Sequence, residues 1–301
     1  MPELPEVEVI CQGLRPHLTD RIITAIRCSG KSLRYPVPHA AMNETLRGQT
    51  IRTVTRRAKY LLIETGAERP GRPSSSDSSP VLDASNTEPA LTCVIIHLGM
   101  TGNLGLFPHS TPVKVHDHVC WQLDNGLELR LNDTRRFGGV WLLPPEQARA
   151  RESGFFGKTG PEPFSRLCTP GHFMALARKR QQPVKNFLMD HRVVAGIGNI
   201  YANEILMAVG IHPLRQVCTL EEGDWQRLIP LSRQILSRAI ACGGSTISDF
   251  INASGESGYF QINFKVYGRK GLPCRRCGSP IDKIQISGRA SYFCPVCQKG
   301  E

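Results

Sequence analysis

The chain has 301 residues, with 37 lysines and arginines against 26 aspartates and glutamates, a formal net charge of +11. Its 40% hydrophobic and 21% charged residues exclude a chain disordered throughout and a fibrous one, and the length suits about two domains with a sizeable core. The longest apolar runs, such as residues 91–98, fall far short of the roughly 18 needed to span a bilayer, and the acidic, Pro-punctuated start MPELPEVEV does not read as a secretion signal. The basic excess favours an anionic partner, nucleic acid or a membrane surface. Eleven cysteines without a secretion signal point to reduced thiols and a metal site in place of a disulfide scaffold.

In chain order, residues 3 to about 14 predict a helix, because Leu4, Val7, Cys11 and Leu14 recur on one face. Pro2 and Pro5 lie at or before its first turn, where proline is tolerated. Residues 22–143 read mostly as strands, clearest at 60–64, at 91–98 and in a hairpin over 119–131 that turns at Asp124-Asn125-Gly126. Residues 67–90, rich in Ser and Pro, interrupt this pattern as a disordered insertion between two strands. After Pro144 the pattern becomes helical. Thr169-Pro170 reads as an N-cap with proline at the first helical position, opening a helix to about Lys179. Residues 199–209 form a second helix behind the turn Gly196-Ile197-Gly198, and 219–242 a third, with Trp225, Leu228, Ile229, Leu236 and Ile240 as its apolar positions and Gly243-Gly244 as its stop.

The tail concentrates both charge and thiols. Residues 265–300 carry eight basic residues against one acid, Asp282, a net +7. The same stretch holds Cys274-x-x-Cys277 and Cys294-x-x-Cys297, with sixteen residues between the pairs. Each pair makes a tight knuckle, and two knuckles close a tetrahedral four-thiolate zinc site, the alternatives being a redox Cys-x-x-Cys or coincidence. Between them 281–286 and 290–293 read as two strands around Ser287-Gly288, so the tail is a zinc-stapled hairpin with a basic surface suited to nucleic acid. The other seven cysteines fall mostly in apolar patterns and default to core packing. The fold class is thus α+β: β-rich over 1–145, helical over 146–260, and a zinc finger over 261–301.

Several motifs together resemble the formamidopyrimidine-DNA glycosylase family: Met1-Pro2-Glu3-Leu4-Pro5-Glu6-Val7-Glu8, Arg57-Ala58-Lys59-Tyr60-Leu61, His97-Leu98-Gly99-Met100, Asn132 to Gly138, Gly196 to Tyr201, and the four cysteines. The resemblance covers nearly the whole chain apart from 67–90. It implies an N-terminal β-sandwich carrying catalysis, a helix-two-turns-helix DNA-binding domain and a zinc β-hairpin finger holding one structural Zn²⁺. It also implies a monomer acting on damaged double-stranded DNA in the bacterial cytoplasm, with no membrane partner. The implied activity is removal of oxidised purines, followed by abasic-site cleavage through β,δ-elimination.

By that resemblance Pro2 is the nucleophile once Met1 is removed, Glu3 the proton donor and acceptor, Lys59 the proton donor of β-elimination, and Arg289 the residue of δ-elimination and phosphate contact. Attack by Pro2 suits its chemistry, since an α-amino group has pKa near 7.7–8 and is far more often neutral at pH 7 than a lysine. Glu6 reads as helix capping alone. A flipped base leaves a gap, and Met100, Arg135 and Phe137 match the residues that fill it, two apolar wedges and a guanidinium for the orphaned cytosine. His116 matches a DNA-contacting position, the alternative being a His116-Asp117-His118 metal site. Asn199 matches a phosphate contact, which ordinary helix capping also explains. The family's basic contact in the next region aligns with Gln181, with Arg180 as its substitute. Thr134 stands where the family usually has proline. Residues 253–259 resemble the loop that closes over the flipped base. Two competing readings are an endonuclease VIII-like enzyme for oxidised pyrimidines, disfavoured by Leu4 where that branch usually shows glycine, and a non-catalytic zinc-ribbon DNA-binding protein.

Overall fold

The computed structural model describes residues 2–67, 91–244 and 264–299. Residues 68–90 of the expected insertion and the expected base-closing loop 253–259 lie outside the described residues. By their contacts the residues form two compact units: Gln12–Thr55 with Leu61–Phe155, and Met1–Cys11 with Arg56–Tyr60 and Phe156–Glu301.

The chain begins with helix α1 (Leu4–Leu18), whose apolar face Leu4, Val7, Cys11 and Leu14 is fully buried. It runs one turn beyond the expected end, through Pro16, because Leu18 is itself buried. In the first unit, β1 (Ile23–Cys28) is followed by a helix that the sequence reading missed, α2 (His39–Leu46), short and anchored by buried Met42 and Leu46. The strands β2 (Thr50–Arg57), β3 (Tyr60–Gly66), β4 (Thr92–His97), β5 (Gly102–Pro108), β6 (Asp117–Leu123), β7 (Leu127–Asp133) and β8 (Gly139–Leu143) follow, then the short α3 (Pro145–Arg149). They build the two sheets of a β-sandwich, ordered β1-β6-β7-β5 and β2-β3-β4-β8. The expected hairpin is β6–β7, with Gly126 at φ 79° and Asn125 Oδ1 accepting from the Leu127 amide at 3.2 Å.

In the second unit, Thr169 caps α4 (Pro170–Ala177) as expected, its hydroxyl accepting from the His172 amide at 3.2 Å. A further short helix, α5 (Val184–Met189), also escaped the sequence reading. Two turns lead from it to α6 (Asn199–Val209), with the expected bounds. Helix α7 (Glu222–Ala241) starts three residues later than expected, because a 3₁₀ turn takes Val217–Thr219 and a reciprocal pair of Glu221 and Asp224 caps the helix. Phe173 and Trp225 stack at 5.5 Å at the centre of this core. The finger hairpin is β9 (Asp282–Ile286) paired antiparallel with β10 (Arg289–Phe293). Its two-residue turn needs positive φ at both positions, and Ser287 and Gly288 adopt 47° and 76°. Glu204 on α6 holds the start of the finger segment by accepting from the amides of Lys265, Val266 and Tyr267 at 2.9–3.0 Å. Of the seven other cysteines, 11, 93, 120 and 168 are buried; Cys218 departs from the expected core role and is exposed in the 3₁₀ turn.

Candidate active site and DNA-facing residues

The start of α6 has no cap of its own. Its N-cap is Gly198, which offers no side chain, and Asn199 is the first helical residue, so the expected capping by Asn199 does not occur. The missing acceptor comes from the other end of the sequence. The Glu3 carboxylate accepts from the amides of Gly198 at 2.7 Å, Ile200 at 2.8 Å and Tyr201 at 3.3 Å. These are orphan donors at the positive end of a helix dipole, a natural seat for an anion. The absence of a side chain at residue 198 lets Glu3 and Lys59 come this close. A Cβ there would lie 2.4 Å from Glu3 Cδ and 2.7 Å from Lys59 Nζ. Glu3 is buried, which pushes its proton affinity up; Lys59 and the amides of Ile200 and Tyr201 oppose that rise, and Glu6 adds to it.

Lys59 sits in the turn between β2 and β3, where Ala58 adopts φ 55°. Burial pulls its proton affinity below that of an ordinary lysine, and Arg289 adds to the fall while Glu3 and Glu6 oppose it. The peptide joining Pro2 to Glu3 is fixed by the Glu3 amide, which donates to Glu6 Oε2 at 2.8 Å; the Tyr201 hydroxyl donates to Glu6 Oε1 at 2.7 Å. Glu6 therefore does cap α1, as expected, and also aims the residue that carries the α-amine. Arg289 is exposed at the start of β10. Of the sequence-predicted catalytic residues, the fold thus gathers Glu3 and Lys59 about Gly198, with Pro2 adjacent and Arg289 within electrostatic reach.

Lys185 was missed. It is fully buried on α5, donates to Ala290 O at 2.9 Å and Ser291 Oγ at 2.6 Å, and has its pKa lowered to about 8, mainly by burial and then by Arg289. Its only sequence signal is a lysine inside the apolar run 184–189. Arg180 reaches Asp190 at 3.7 Å and lies over the Phe187 ring, while Gln181 is exposed.

In the β-sandwich unit Met100 and Phe137 are 43% and 46% exposed, unusual for side chains of this size, and the Arg135 guanidinium lies 4.7 Å from the Phe137 ring centroid. Buried Asp133 organises both loops. It accepts from Thr101 Oγ1 at 2.6 Å and from the Gly138 amide at 2.8 Å, and the Arg135 amide donates to Thr101 Oγ1 at 3.1 Å. Gly99, at φ 63°, lets the loops close up, for a Cβ there would meet the Phe137 carbonyl carbon at 2.4 Å. Asp133 and Thr101 lie inside the quoted motifs, yet only the fold shows their task. His116 is half-buried beside His118, 6.3 Å between ring centroids. A His-Asp-His metal site is not formed: Asp117 is taken by the Lys114 amide and Asn132, and His118 by Ser29 and Asp133 O.

The sulfurs of Cys274, Cys277, Cys294 and Cys297 all lie within 4.8 Å of one another, the only such metal-competent group among the described residues. Spacings of 4.0 Å (Cys274–Cys297) and 3.4 Å (Cys277–Cys294) bracket the roughly 3.8 Å edge of a tetrahedron with 2.3 Å zinc–sulfur bonds. The Arg276 and Cys297 amides point at Cys274 Sγ and Cys294 Sγ, both at 3.4 Å. This donor set fits one structural Zn²⁺, with no coordination position left for substrate.

Three family models match in order: the formamidopyrimidine-DNA glycosylase N-terminal domain over residues 1–140, its H2TH domain over 159–251, and a zinc finger found in FPG and IleRS over 271–300. The formamidopyrimidine-DNA glycosylase of Shewanella halifaxensis is 42% identical over 300 residues, covering 99% of this chain and 100% of its own. The chain belongs to the formamidopyrimidine-DNA glycosylase family. Among solved members of that family, the complex between Lactococcus lactis Fpg and DNA containing an abasic site matches with a TM-score of 0.83 at 32% identity, over 99% of this chain and 100% of that one. A complex between a mutant of the same protein and Fapy-dG-containing DNA matches at 0.84 and 30%, with the same coverage.

Two outcomes are expected of this member of the family. Gly198→Ala forces Glu3 and Lys59 apart, and base excision measured in single turnovers falls at least about 100-fold, the scale of a 1 Å misplacement, while zinc content stays at one ion. Removing the zinc with a chelator unfolds the finger, and duplex affinity measured by fluorescence anisotropy falls; full affinity in metal-free protein excludes a binding role for the finger.

Proposed function

We propose that the chain excises oxidised purines, 8-oxoguanine and formamidopyrimidines, from duplex DNA and then cuts the strand at the abasic site, with Pro2 as nucleophile. The observation that carries these residue roles is the buried Glu3 carboxylate beside a lysine of lowered proton affinity, one residue from the α-amine. A non-catalytic zinc ribbon has no use for that pairing. The functional division follows chain order: a catalytic N-terminal part over 1–145, a DNA-binding helical part over 146–260, and the finger over 261–301. The chain works as a monomer on damaged duplex DNA. No helix of the described residues is long and apolar enough to cross a membrane, and with bacterial relatives we place the enzyme in the cytoplasm at the nucleoid.

In this reading Pro2 N, free after loss of Met1, attacks C1′ with its lone pair. The bond from C1′ to the damaged base breaks, and the base leaves with the bonding pair and picks up a proton. Glu3, kept protonated further toward neutrality than a carboxyl in water, gives its proton to O4′ as the sugar ring opens. The nitrogen, having lost its own proton, then forms the C1′ iminium. Glu3, now a carboxylate, takes a C2′ proton; the electrons pass into that iminium and the C3′–O bond breaks with phosphate as leaving group, Lys59 giving its proton to the departing phosphate oxygen. Loss of a C4′ proton and cleavage of the C5′–O bond complete δ-elimination, with Arg289 holding the departing phosphate. Met100, Arg135 and Phe137 fill the gap left by the extruded nucleotide. His116, Asn199 and Arg180 hold backbone phosphates, and these contacts make affinity fall with salt.

Borohydride trapping tests the nucleophile. Wild-type protein with Met1 removed gives a covalent adduct with 8-oxoguanine duplex, and Pro2→Gly loses most strand cleavage while still binding; unchanged turnover in that variant refutes the assignment. The pH dependence follows from two groups that both act protonated. Ring opening falls as pH rises through a Glu3 value above the ordinary carboxylate range. β-Elimination of a pre-formed abasic site falls as pH rises through a Lys59 value below the ordinary lysine pKa of about 10.4. Single-turnover rates across pH read both limbs, and a β-elimination limb at or above the lysine value contradicts the role of Lys59.

A further inference from the structure

Lys59 reaches its place from an awkward stretch of backbone. Ala58, immediately before it, lies at φ 55°, a left-handed conformation in which the Cβ of an L-residue crowds its own backbone. The turn is also flanked by Arg56 and Arg57, whose like charges repel each other and Lys59. Two groups hold it: Arg56, whose Nη1 donates to the Ala58 carbonyl at 3.0 Å, and Glu162. One of its oxygens, Oε1, accepts from the Ala58 amide at 2.6 Å and from Arg57 Nη1 at 3.0 Å; the other, Oε2, accepts from Arg56 Nη1 at 2.7 Å. Arg57 also donates to Gly160 O at 3.0 Å, and Arg56 to Glu8 at 2.7 Å.

Glu162 is itself a fixed point. The Gly160 amide donates to His191 O at 2.8 Å, and the Ala195 amide to Pro161 O at 2.9 Å, so its segment is stitched to the turns between α5 and α6. Gly160 fits there only without a side chain, since a Cβ would meet the Val193 carbonyl at 2.7 Å. On the far side, Arg233 of α7 donates to the carbonyls of Pro163, Ser165 and Cys168 at 2.8–3.1 Å. The same turns lead directly into Gly198 and the Glu3 seat. One carboxylate therefore refers the position of Lys59 to the same backbone that positions Glu3.

We propose that Glu162 is a positioning residue for the lyase chemistry, capturing the Ala58 amide so that Lys59 is delivered beside Glu3. The inference rests on the reading of Lys59 as the proton donor of β-elimination. It assigns Glu162 no contact with DNA. The Arg56 guanidinium is divided among Glu8, Glu162 and the Ala58 carbonyl.

The test uses the full-length zinc-bound enzyme and a duplex with a pre-formed abasic site, with strand cleavage followed in single turnovers. Zinc content and melting temperature establish that each variant is folded. Glu162→Asp keeps the charge for Arg56 and Arg57 but is too short to reach the Ala58 amide, and it is expected to slow β-elimination roughly tenfold or more. Glu162→Gln keeps the length and an oxygen for that amide while losing the charge, and it recovers most of what the aspartate loses. In the double variant Glu162→Asp with Lys59→Met, cleavage is no slower than with Lys59→Met alone, because both changes remove one interaction. Its alkaline limb, read in Glu162→Asp alone, moves up toward the ordinary lysine range as Lys59 gains access to water. The inference is overturned if aspartate retains the rate and glutamine loses it, since ion pairing is then what matters, or if the two losses multiply. Wild-type cleavage by Lys59→Met alone instead removes the assignment of Lys59 on which the inference rests.

Discussion

The carboxylate of Glu3 at the start of α6 is the interaction on which the rest depends. A helix whose N-cap is glycine leaves its first amides without acceptors, and a buried carboxylate without partners carries a desolvation cost of several kcal/mol. Each supplies what the other lacks. The bond spans nearly two hundred residues of sequence, so it also fixes where the chain begins, and with it the amine of Pro2. Burial leaves Glu3 holding its proton more tightly than usual and Lys59 holding its proton less tightly. That is the pairing expected of groups that exchange protons with a reacting sugar near neutral pH.

The same device recurs wherever the fold must place a functional segment. Asp133 takes the Gly138 amide and the Thr101 hydroxyl, and so sets the loops of Met100, Arg135 and Phe137. Glu204 takes three consecutive amides at the start of the finger. Glu162 takes that of Ala58. In a chain with a formal charge of +11, these acids work inside as backbone clamps. The outward-facing charge is left predominantly positive, as a polyanionic partner requires.

Much of this was legible in the sequence where the cause is local. The Thr169-Pro170 cap, the bounds of α6, the three-residue hairpin loop and the paired cysteines each depend on residues a few positions apart, and the structure reproduces them. Helices α2 and α5 are too short to show a period, and tertiary burial makes them helical. The start of α7 was misplaced because Glu221 and Asp224 cap each other, a signal weaker in sequence than the apolar run around it. Asn199 looked like a cap because its residue type favours caps; the acceptor that displaced it comes from residue 3. Lys185, Asp133 and Glu162 share that difficulty, for their partners lie far away in sequence and no spacing announces them.

Lys185 gives the finger a second connection to the chemistry. Among the described residues its buried amine donates to Ala290 O and Ser291 Oγ, both on the hairpin that the metal staples. It also senses Glu3, whose charge raises its proton affinity, and Arg289, which lowers it. If the hairpin unravels, a buried amine loses both acceptors, at a cost of about 1–3 kcal/mol. The metal staple therefore holds in register the acceptors of a cation that lies within electrostatic reach of Glu3 and Arg289, and a site with no coordination position for substrate still has a part in arranging the charges around the chemistry.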